Sequence, residues 1–308
     1  MSVVKRSDFM LKKVLVIANP GSGKNKAVEY AGKLTQVLLD EYQAEVTVRV
    51  TEKVGDATEW AAQFEGDSVL CLGGDGTVNE TAQGVLKNPQ QPNFGFIPLG
   101  TVNDLGRAIG YDLNPERAIE QFRNVHSQPL DMAKVNDVYF INTLAVGSIA
   151  TSVMETDSDD KNTLGFFAYV KDAVSSFFES DALKLTIDDG KNEYPIETNL
   201  VVCALTNSVG GFEQLVPEAT IDDGKIHLLA TKGSAPQDLV KAAIDGGLKL
   251  QDSEHLLVLE SEQFNIRYTD KDDEHEVYCN IDGDKGPAVP LSIKCLPQAI
   301  KVLQPVVD

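Results

Sequence analysis

Three glycines surround one aspartate in Gly73-Gly74-Asp75-Gly76-Thr77. Glycines let a backbone come close to a ligand and turn its N–H groups toward it. The apolar positions Val78, Ala82, Val85 and Leu86 follow at helical spacing, so a helix start adds the positive end of its dipole. The grouping suits an anion such as a phosphate. Thr77 can cap that helix or donate to a phosphate oxygen. Asp75 does not suit a bare phosphate cradle, because a carboxylate repels phosphate unless a cation lies between them. Its chemistry points to Mg²⁺, bound directly or through water. A tight turn that happens to carry an aspartate accounts for this motif, taken alone, about as well.

Two further stretches have related chemistry. Asn19-Pro20-Gly21-Ser22-Gly23-Lys24 lies between an apolar run and a helical pattern. It lacks the glycine spacing and the Lys-Ser or Lys-Thr ending of a Walker loop, so that reading is rejected. A phosphate contact by Lys24 and a solvated lysine at a helix start stay equally open. The third stretch is Leu99-Gly100-Thr101-Val102-Asn103-Asp104-Leu105-Gly106-Arg107-Ala108.

The elements that position these turns are legible in the apolar pattern. Val14–Ala18, Val69–Leu72 and Phe94–Pro98 read as buried strands, and Glu45–Val50 alternates as a strand. A helix with apolar face Ala27, Ala31, Leu34, Leu38 and Tyr42 follows the first. Asp56 and Glu59 have capping-box spacing for another helix. Pro115 to Phe122 is a further helix with proline in its first turn. Strands alternating with helices predict a parallel α/β sheet, with three polar turns at the strands' carboxyl ends, where such sheets bind ligands.

After about Gln128 the pattern changes to short strands at Val138–Ile141, Leu183–Ile187, Leu200–Leu205, Ile226–Leu229, Leu256–Leu259, Phe264–Tyr268, Val277–Ile281 and Leu291–Cys295. Helical patterns interrupt at Leu164–Phe178 and from Gln237 to about Ala243. The apolar face of the first reads as packing in a core. Asp157–Lys161 and Thr269–Glu276 read as surface loops. The expected architecture is α/β with two domains. Residues 1–128 form the α/β domain, rejoined by 297–308, and 129–296 form a β-sandwich domain.

With 308 residues, two cores are expected. A net charge of −20 argues against nucleic acid and against non-specific adhesion to anionic lipid. No apolar run approaches the roughly 20 residues that cross a bilayer. The four cysteines form no C-x-x-C pair, and Cys71 and Cys203 lie in apolar runs as buried thiols, which fits a reducing cytoplasm. The four histidines lie in no nucleophile-like context, so Ser-His-Asp hydrolysis is not supported.

Gly73 to Glu80, preceded by Asn19-Pro20 and followed by Pro98-Leu99-Gly100-Thr101-Val102-Asn103-Asp104, resembles the diacylglycerol kinase catalytic-domain family, and most closely its soluble bacterial members. The likeness extends through Leu130-Asp131, Tyr139-Phe140-Ile141-Asn142, Thr206-Asn207-Ser208, Gly211-Phe212, Leu215-Val216-Pro217, Asp222-Asp223-Gly224 and Asp282-Gly283. The glycine-aspartate motif alone is shared with NAD kinases and phosphofructokinases. The Gly-Thr-Val-Asn-Asp motif and the later Asp-Gly make the likeness specific.

The resemblance implies an ATP-dependent lipid kinase that converts diacylglycerol to phosphatidic acid, with residues 1–128 as the nucleotide-binding domain, 129–296 as the lipid-binding substrate domain, and nucleotide in a cleft between them. Under the same resemblance the apolar face of Leu164–Phe178 would line a lipid entrance, beside the plainer reading of core packing. It implies ATP contacts by Asn19, Pro20, Gly21, Ser22, Gly23, Thr51, Gly74, Asp75, Gly76, Thr77, Val78, Asn79, Glu80, Thr101 and Asn103. Asp75, Asp104 and Asp131 would form a carboxylate–water–Mg²⁺ network. A structural Mg²⁺ would sit at Asp223, with carbonyls from near Thr220 and Lys225, although local sequence alone favours a metal-free Asp-Gly hairpin. The family's general base is a glutamate after the Asp-Gly, and the corresponding residue is Asp284, one methylene shorter.

The implied setting is the cytoplasm, with transient contact at the inner face of the membrane, and a homodimer is one arrangement that would bring an acidic protein there. Two other readings stay open: a kinase for a sphingosine-like alcohol, another lipid alcohol or NAD, and a catalytically weak nucleotide- or lipid-binding regulator.

Overall fold

The computed structural model describes residues 10–147, 182–211, 216, 218–232, 256–270 and 276–306. The chain divides into two units, Met1–Asp131 with Gln298–Asp308, and Met132–Pro297.

In the first unit, β1 (Lys13–Ala18) is followed by a short irregular turn, α1 (Ser22–Asn25), and by α2 (Ala27–Tyr42). Then come β2 (Glu45–Val50), α3 (Asp56–Gln63), β3 (Ser68–Gly73), α4 (Asp75–Lys87), β4 (Asn93–Pro98), α5 (Asp104–Ile109) and α6 (Pro115–Gln121). The strands lie side by side and parallel in the order β2-β1-β3-β4. Val14 to Ala18 of β1 and every residue of β3 are buried, which is why their sequences read as unbroken apolar runs. Edge strand β2 is largely exposed, so its sequence alternates instead. The final strand of the chain, Leu291–Pro305, joins this sheet beside β4, parallel to it at Val302 and Phe94.

The helix faces behave as their spacing requires. Ala27, Ala31, Leu34, Leu38 and Tyr42 of α2 are buried, together with Val37. Gly84 lets α4 approach α3, since a Cβ there would lie 2.5 Å from the Thr58 carbonyl oxygen. The capping box expected at Asp56 is not formed. Gly55 holds the cap position with a left-handed backbone, and Asp56 is already helical. The Asp56 carboxylate turns back to accept the N–H groups of Glu52 at 2.8 Å and Lys53 at 3.0 Å, so the preceding loop takes the bonds a capping box would have used. At α6, Asn114 caps the N–H groups of Glu116 and Arg117 ahead of Pro115.

The second unit is built from antiparallel strands. β5 (Val125–Val135) runs into it and pairs with β6 (Val138–Phe140). It continues through β7 (Thr143–Gly147), β8 (Leu183–Asp188), β9 (Glu193–Thr198), β10 (Leu200–Ala204), β11 (Ile226–Thr231), β12 (Leu256–Ser261), β13 (Gln263–Tyr268), β14 (Tyr278–Ile281), β15 (Asp284–Ala288) and the first half of β16 (Leu291–Pro305). One sheet runs β12-β11-β10-β7-β14-β15, and the other carries β16-β13-β8-β9. Leu144, Val201, Leu228 and Ile281 from the first sheet share a buried core with Leu185, Ile187, Phe264 and Ile293 from the second, which makes a β-sandwich.

All eight expected strands of this unit form. The pattern reading omits β5, β7, β9 and β15. Strand β9 has charged and proline residues on an edge, and β15 is Asp-Lys-Gly-Pro-Ala. Both are held by hairpin partners rather than by an apolar rhythm of their own. The helical patterns at 164–178 and 237–243 and the acidic loop 157–161 lie outside the described residues. All four cysteines are buried free thiols. No helix of the described residues is long and apolar enough to cross a membrane.

Candidate functional site

The turns after β1, β3 and β4 are tied together at the carboxyl ends of their strands. Asn19 donates its backbone N–H to the Leu72 carbonyl at 3.0 Å, and Leu99 donates to that of Gly73 at 2.8 Å. The Asn19 side chain donates to the Thr77 hydroxyl oxygen at 3.0 Å and accepts from the Gly21 N–H at 3.1 Å. Three sequence-separated motifs thus form one polar rim. Gly23, Lys24 and Asn25 all have left-handed backbone, so the irregular turn aims its peptide groups unlike a helix. Pro20 and Lys24 are exposed.

Glycine is required where the second and third turns meet. A Cβ on Gly100 would lie 2.9 Å from Gly74 Cα and 2.8 Å from the Asn103 side-chain oxygen. Asn103, left-handed at φ 55°, brackets Gly100 by accepting its N–H at 2.8 Å and donating to its carbonyl at 2.9 Å. Its own N–H goes to Asp75 at 3.2 Å. Helix α4 opens at Asp75 with Gly74 as N-cap and no side-chain cap.

Asp75 is half-buried, and burial is the main cause that lifts its carboxyl to about 6. The like charge of Asp104 adds to this, against the backbone N–H groups of Asn103, Asp75 and Asp104. Asp104 is itself buried at the head of α5. Two carboxylates that raise each other's cost of ionisation are a hard-oxygen donor pair whose repulsion a divalent cation would relieve, so these residues fit Mg²⁺. Asp131 is buried and accepts the Gln298 N–H at 2.6 Å. Among the described residues, no three His, Cys, Asp or Glu side chains form a ready-made metal cluster.

The remaining expected positions take several places. Glu80 accepts the Gly55 N–H at 3.1 Å and its carbonyl accepts the Thr58 hydroxyl, which fastens α4 to α3. Val78 is in the core. Asn79 is buried with its side-chain oxygen lacking a hydrogen-bond partner, the kind of atom a bound group could satisfy. Thr51 donates its N–H to Ala18, and Thr101 is exposed.

In the second unit, Asp223 accepts the N–H groups of Thr220 at 3.2 Å and Lys225 at 2.8 Å. The His227 ring lies 2.8 Å from the same carboxylate. Burial pushes the Asp223 carboxyl up, but His227 and the two N–H groups together hold it below the usual range. The turn is not the hairpin that local sequence favours, because it closes the long connection from β10 to β11. Asp284 is exposed, opens β15 opposite Ile281, and is lifted by partial desolvation. Sequence reasoning gave no role to His227, whose spacing of four from Asp223 was the available signal.

A family model described as the diacylglycerol kinase catalytic domain matches residues 13–135, and one described as the YegS C-terminal NAD kinase beta sandwich-like domain matches residues 145–304. Diacylglycerol kinases of Staphylococcus epidermidis (strain RP62A) and Staphylococcus aureus (strain MRSA252) are each 33% identical over 303 residues, covering 96% of this chain and 93% of theirs. The chain belongs to the diacylglycerol kinase family. A crystal structure of a diacylglycerol kinase from Bacillus anthracis shares the fold, with a TM-score of 0.75 and 24% identity over 95% of this chain and 97% of that one. A diacylglycerol kinase-type catalytic half followed by a β-sandwich half is therefore the architecture of this lipid kinase relative.

Proposed function

We propose that this diacylglycerol kinase family member transfers the terminal phosphoryl group of ATP to the primary hydroxyl of diacylglycerol, giving phosphatidic acid. The observation that supports it most is the joined rim of glycine turns with the Asp75–Asp104 carboxylate pair beside it. Phosphoryl transfer needs mostly positioning and neutralisation of charge. The N–H groups at Gly74 to Thr77 and the Asn19–Thr77 pair would orient phosphate oxygens, with Thr51, Thr101 and Asn103 completing the nucleotide contacts. Asp75 and Asp104, with Asp131 through water, would hold Mg²⁺. Bound there, Mg²⁺ supplies positive charge to the phosphate oxygens. Asp284 would accept the hydroxyl proton as the new oxygen–phosphorus bond forms and ADP leaves. The proposal extends to a second Mg²⁺ on Asp223 and the Thr220 and Lys225 carbonyls, where His227 already shares the carboxylate. It places the enzyme in the cytoplasm, meeting lipid at the inner membrane face, with a homodimer as one means of docking.

A second reading has its own support. The β-sandwich half matches a model described as NAD kinase-like, and Asp284 is shorter than the glutamate expected of a lipid kinase. Labelled ATP offered with diacylglycerol, a sphingosine-like alcohol and NAD separates the acceptors. Label transferred to diacylglycerol in preference to the others is expected. Preferred transfer to NAD or sphingosine would replace the substrate assignment, and tight ATP binding without turnover on any acceptor would make the protein a regulator.

A further inference from the structure

Asp282 stands beside the proposed base and is 7% exposed. It has a left-handed backbone at φ 49°, followed by Gly283 at φ 97°, which is the two-residue hairpin turn that joins β14 to β15. An Asp-Gly pair suits such a turn without further help. Yet the Asp282 carboxylate does not point to water. It accepts the backbone N–H groups of three consecutive residues, Ile141 at 2.9 Å, Asn142 at 3.0 Å and Thr143 at 2.8 Å. Its own N–H donates to the Thr143 carbonyl at 3.0 Å. Three successive N–H groups that converge on one point make an anion-binding nest, and the protein fills that nest with its own carboxylate.

The nest is braced from behind. Asn142 donates its side-chain amide to the Ser208 carbonyl at 3.1 Å and accepts the Thr206 hydroxyl at 2.5 Å. On the hairpin itself, Gly283 donates to the Asn280 side chain at 3.0 Å, and the Lys285 ammonium lies 3.4 Å from the centre of the Tyr278 ring. Strand segments far apart in sequence, at 141–143, 206–208 and 280–285, are thereby fixed to one another.

We propose that Asp282 is a positioning residue that sets the reach of Asp284. The inference rests on the reading of Asp284 as proton acceptor. It explains how a carboxylate on a short arm can serve: the arm is short, but its root is held by three charge-assisted hydrogen bonds rather than left on a mobile hairpin tip. An aspartate has one rotatable bond fewer than glutamate, so fixing the backbone fixes most of the side chain.

The test is a double-mutant cycle on the full chain, with diacylglycerol in mixed detergent micelles and saturating ATP and Mg²⁺. Asp282→Asn places an amide where three N–H groups need acceptors. It is expected to lower kcat by roughly a hundredfold, the scale of a displacement of about 1 Å at a reacting group. The KM for ATP should be unchanged. In the Asp284→Asn background the same substitution should cost nothing more, because there is no longer a base to misplace. A general loosening of the sandwich would instead lower both backgrounds by the same factor, and that result overturns the inference, as does a kcat for Asp282→Asn within threefold of wild type, about the scatter of such a comparison. If Asp282→Asn does not fold, Asn142→Ala replaces it in the same cycle, with a loss of about tenfold expected only where Asp284 is intact. Full activity of Asp284→Asn on diacylglycerol would overturn the base assignment and this inference together. An Asp284→Asn reduced to its residual turnover, read with labelled ATP, together with an unaffected Asp282→Asn would overturn the inference alone.

Discussion

Asp75 and Asp223 are two aspartates in glycine-bearing turns beside strands, one in each unit, and each is desolvated and receives backbone N–H groups. They settle in opposite directions. Asp75 is lifted to about 6, and Asp223 is held below the ordinary carboxylate range. The difference is first the burial, which dominates at Asp75 and is outweighed at Asp223, and then the neighbour. Asp75 faces a like charge in Asp104, whereas Asp223 faces the ring of His227. A carboxylate whose environment disfavours its charge is short of a cation. One already served by the protein is structurally complete before any cation arrives. The motifs look alike in sequence, and the chemistry left over differs.

The largest expected effect that could break this comparison is that of Asp75→Asn. If Asp75 organises Mg²⁺ at the phosphates, turnover should fall by a hundredfold or more across a range of Mg²⁺, on the scale of losing a principal electrostatic contact. The metal-free protein should become more stable near neutral pH. The sign follows from the raised carboxyl: the folded state holds the proton better than the unfolded chain, so stability is present at low pH and lost as pH rises through about 6. The melting temperature of the variant should exceed that of wild type well above pH 6 and converge with it near the unfolded value of about 4. An unchanged kinase rate would end the assignment.

Next in size is Gly100→Ala. Its methyl would have to displace Gly74 or Asn103. We expect a rise in KM for ATP and a fall in kcat together, each of about tenfold, measured in steady state. Normal kinetics would mean that the rim tolerates separation and that Asp75 is not held by it.

A smaller effect distinguishes the second turn. Asp223→Ala removes hydrogen bonds from Thr220, Lys225 and His227, so some melting temperature is lost even in EDTA. A larger loss in Mg²⁺ is expected if a cation binds there, because native-state binding stabilises by mass action. Equal losses would leave the bonds from Thr220, Lys225 and His227 as the whole closure of the turn and sharpen the contrast with Asp75.

The smallest effect is graded. Protons and Mg²⁺ compete for Asp75, so below about pH 6 the apparent Mg²⁺ affinity should weaken by up to about tenfold per pH unit. Titration calorimetry in the presence of a non-hydrolysable ATP analogue reads this directly. A pH-independent affinity between about 5 and 7 would place the metal elsewhere.

The α/β order of the first unit was legible from the residues alone, because strands buried on both faces must be continuous apolar runs and helices over them must repeat near 3.6. The sequence also marked the turns that carry Asp75 and Asn103, since left-handed and close-approach turns restrict residue choice to glycine and asparagine, while the role expected of Asp104 came from the family likeness. It could not show that Asn19 meets Thr77, or that Asp104 raises Asp75, because those contacts cross between separate strand ends. Strands β9 and β15 were invisible for the same reason: their partners, not their own residues, make them strands. The clearest case is Asp282. Its type and the glycine after it announce a turn, but the three N–H groups it accepts lie about 140 residues earlier in the chain and converge only when β7 and β14 pair. Local backbone preference is encoded locally, whereas a side chain's partners are fixed by packing.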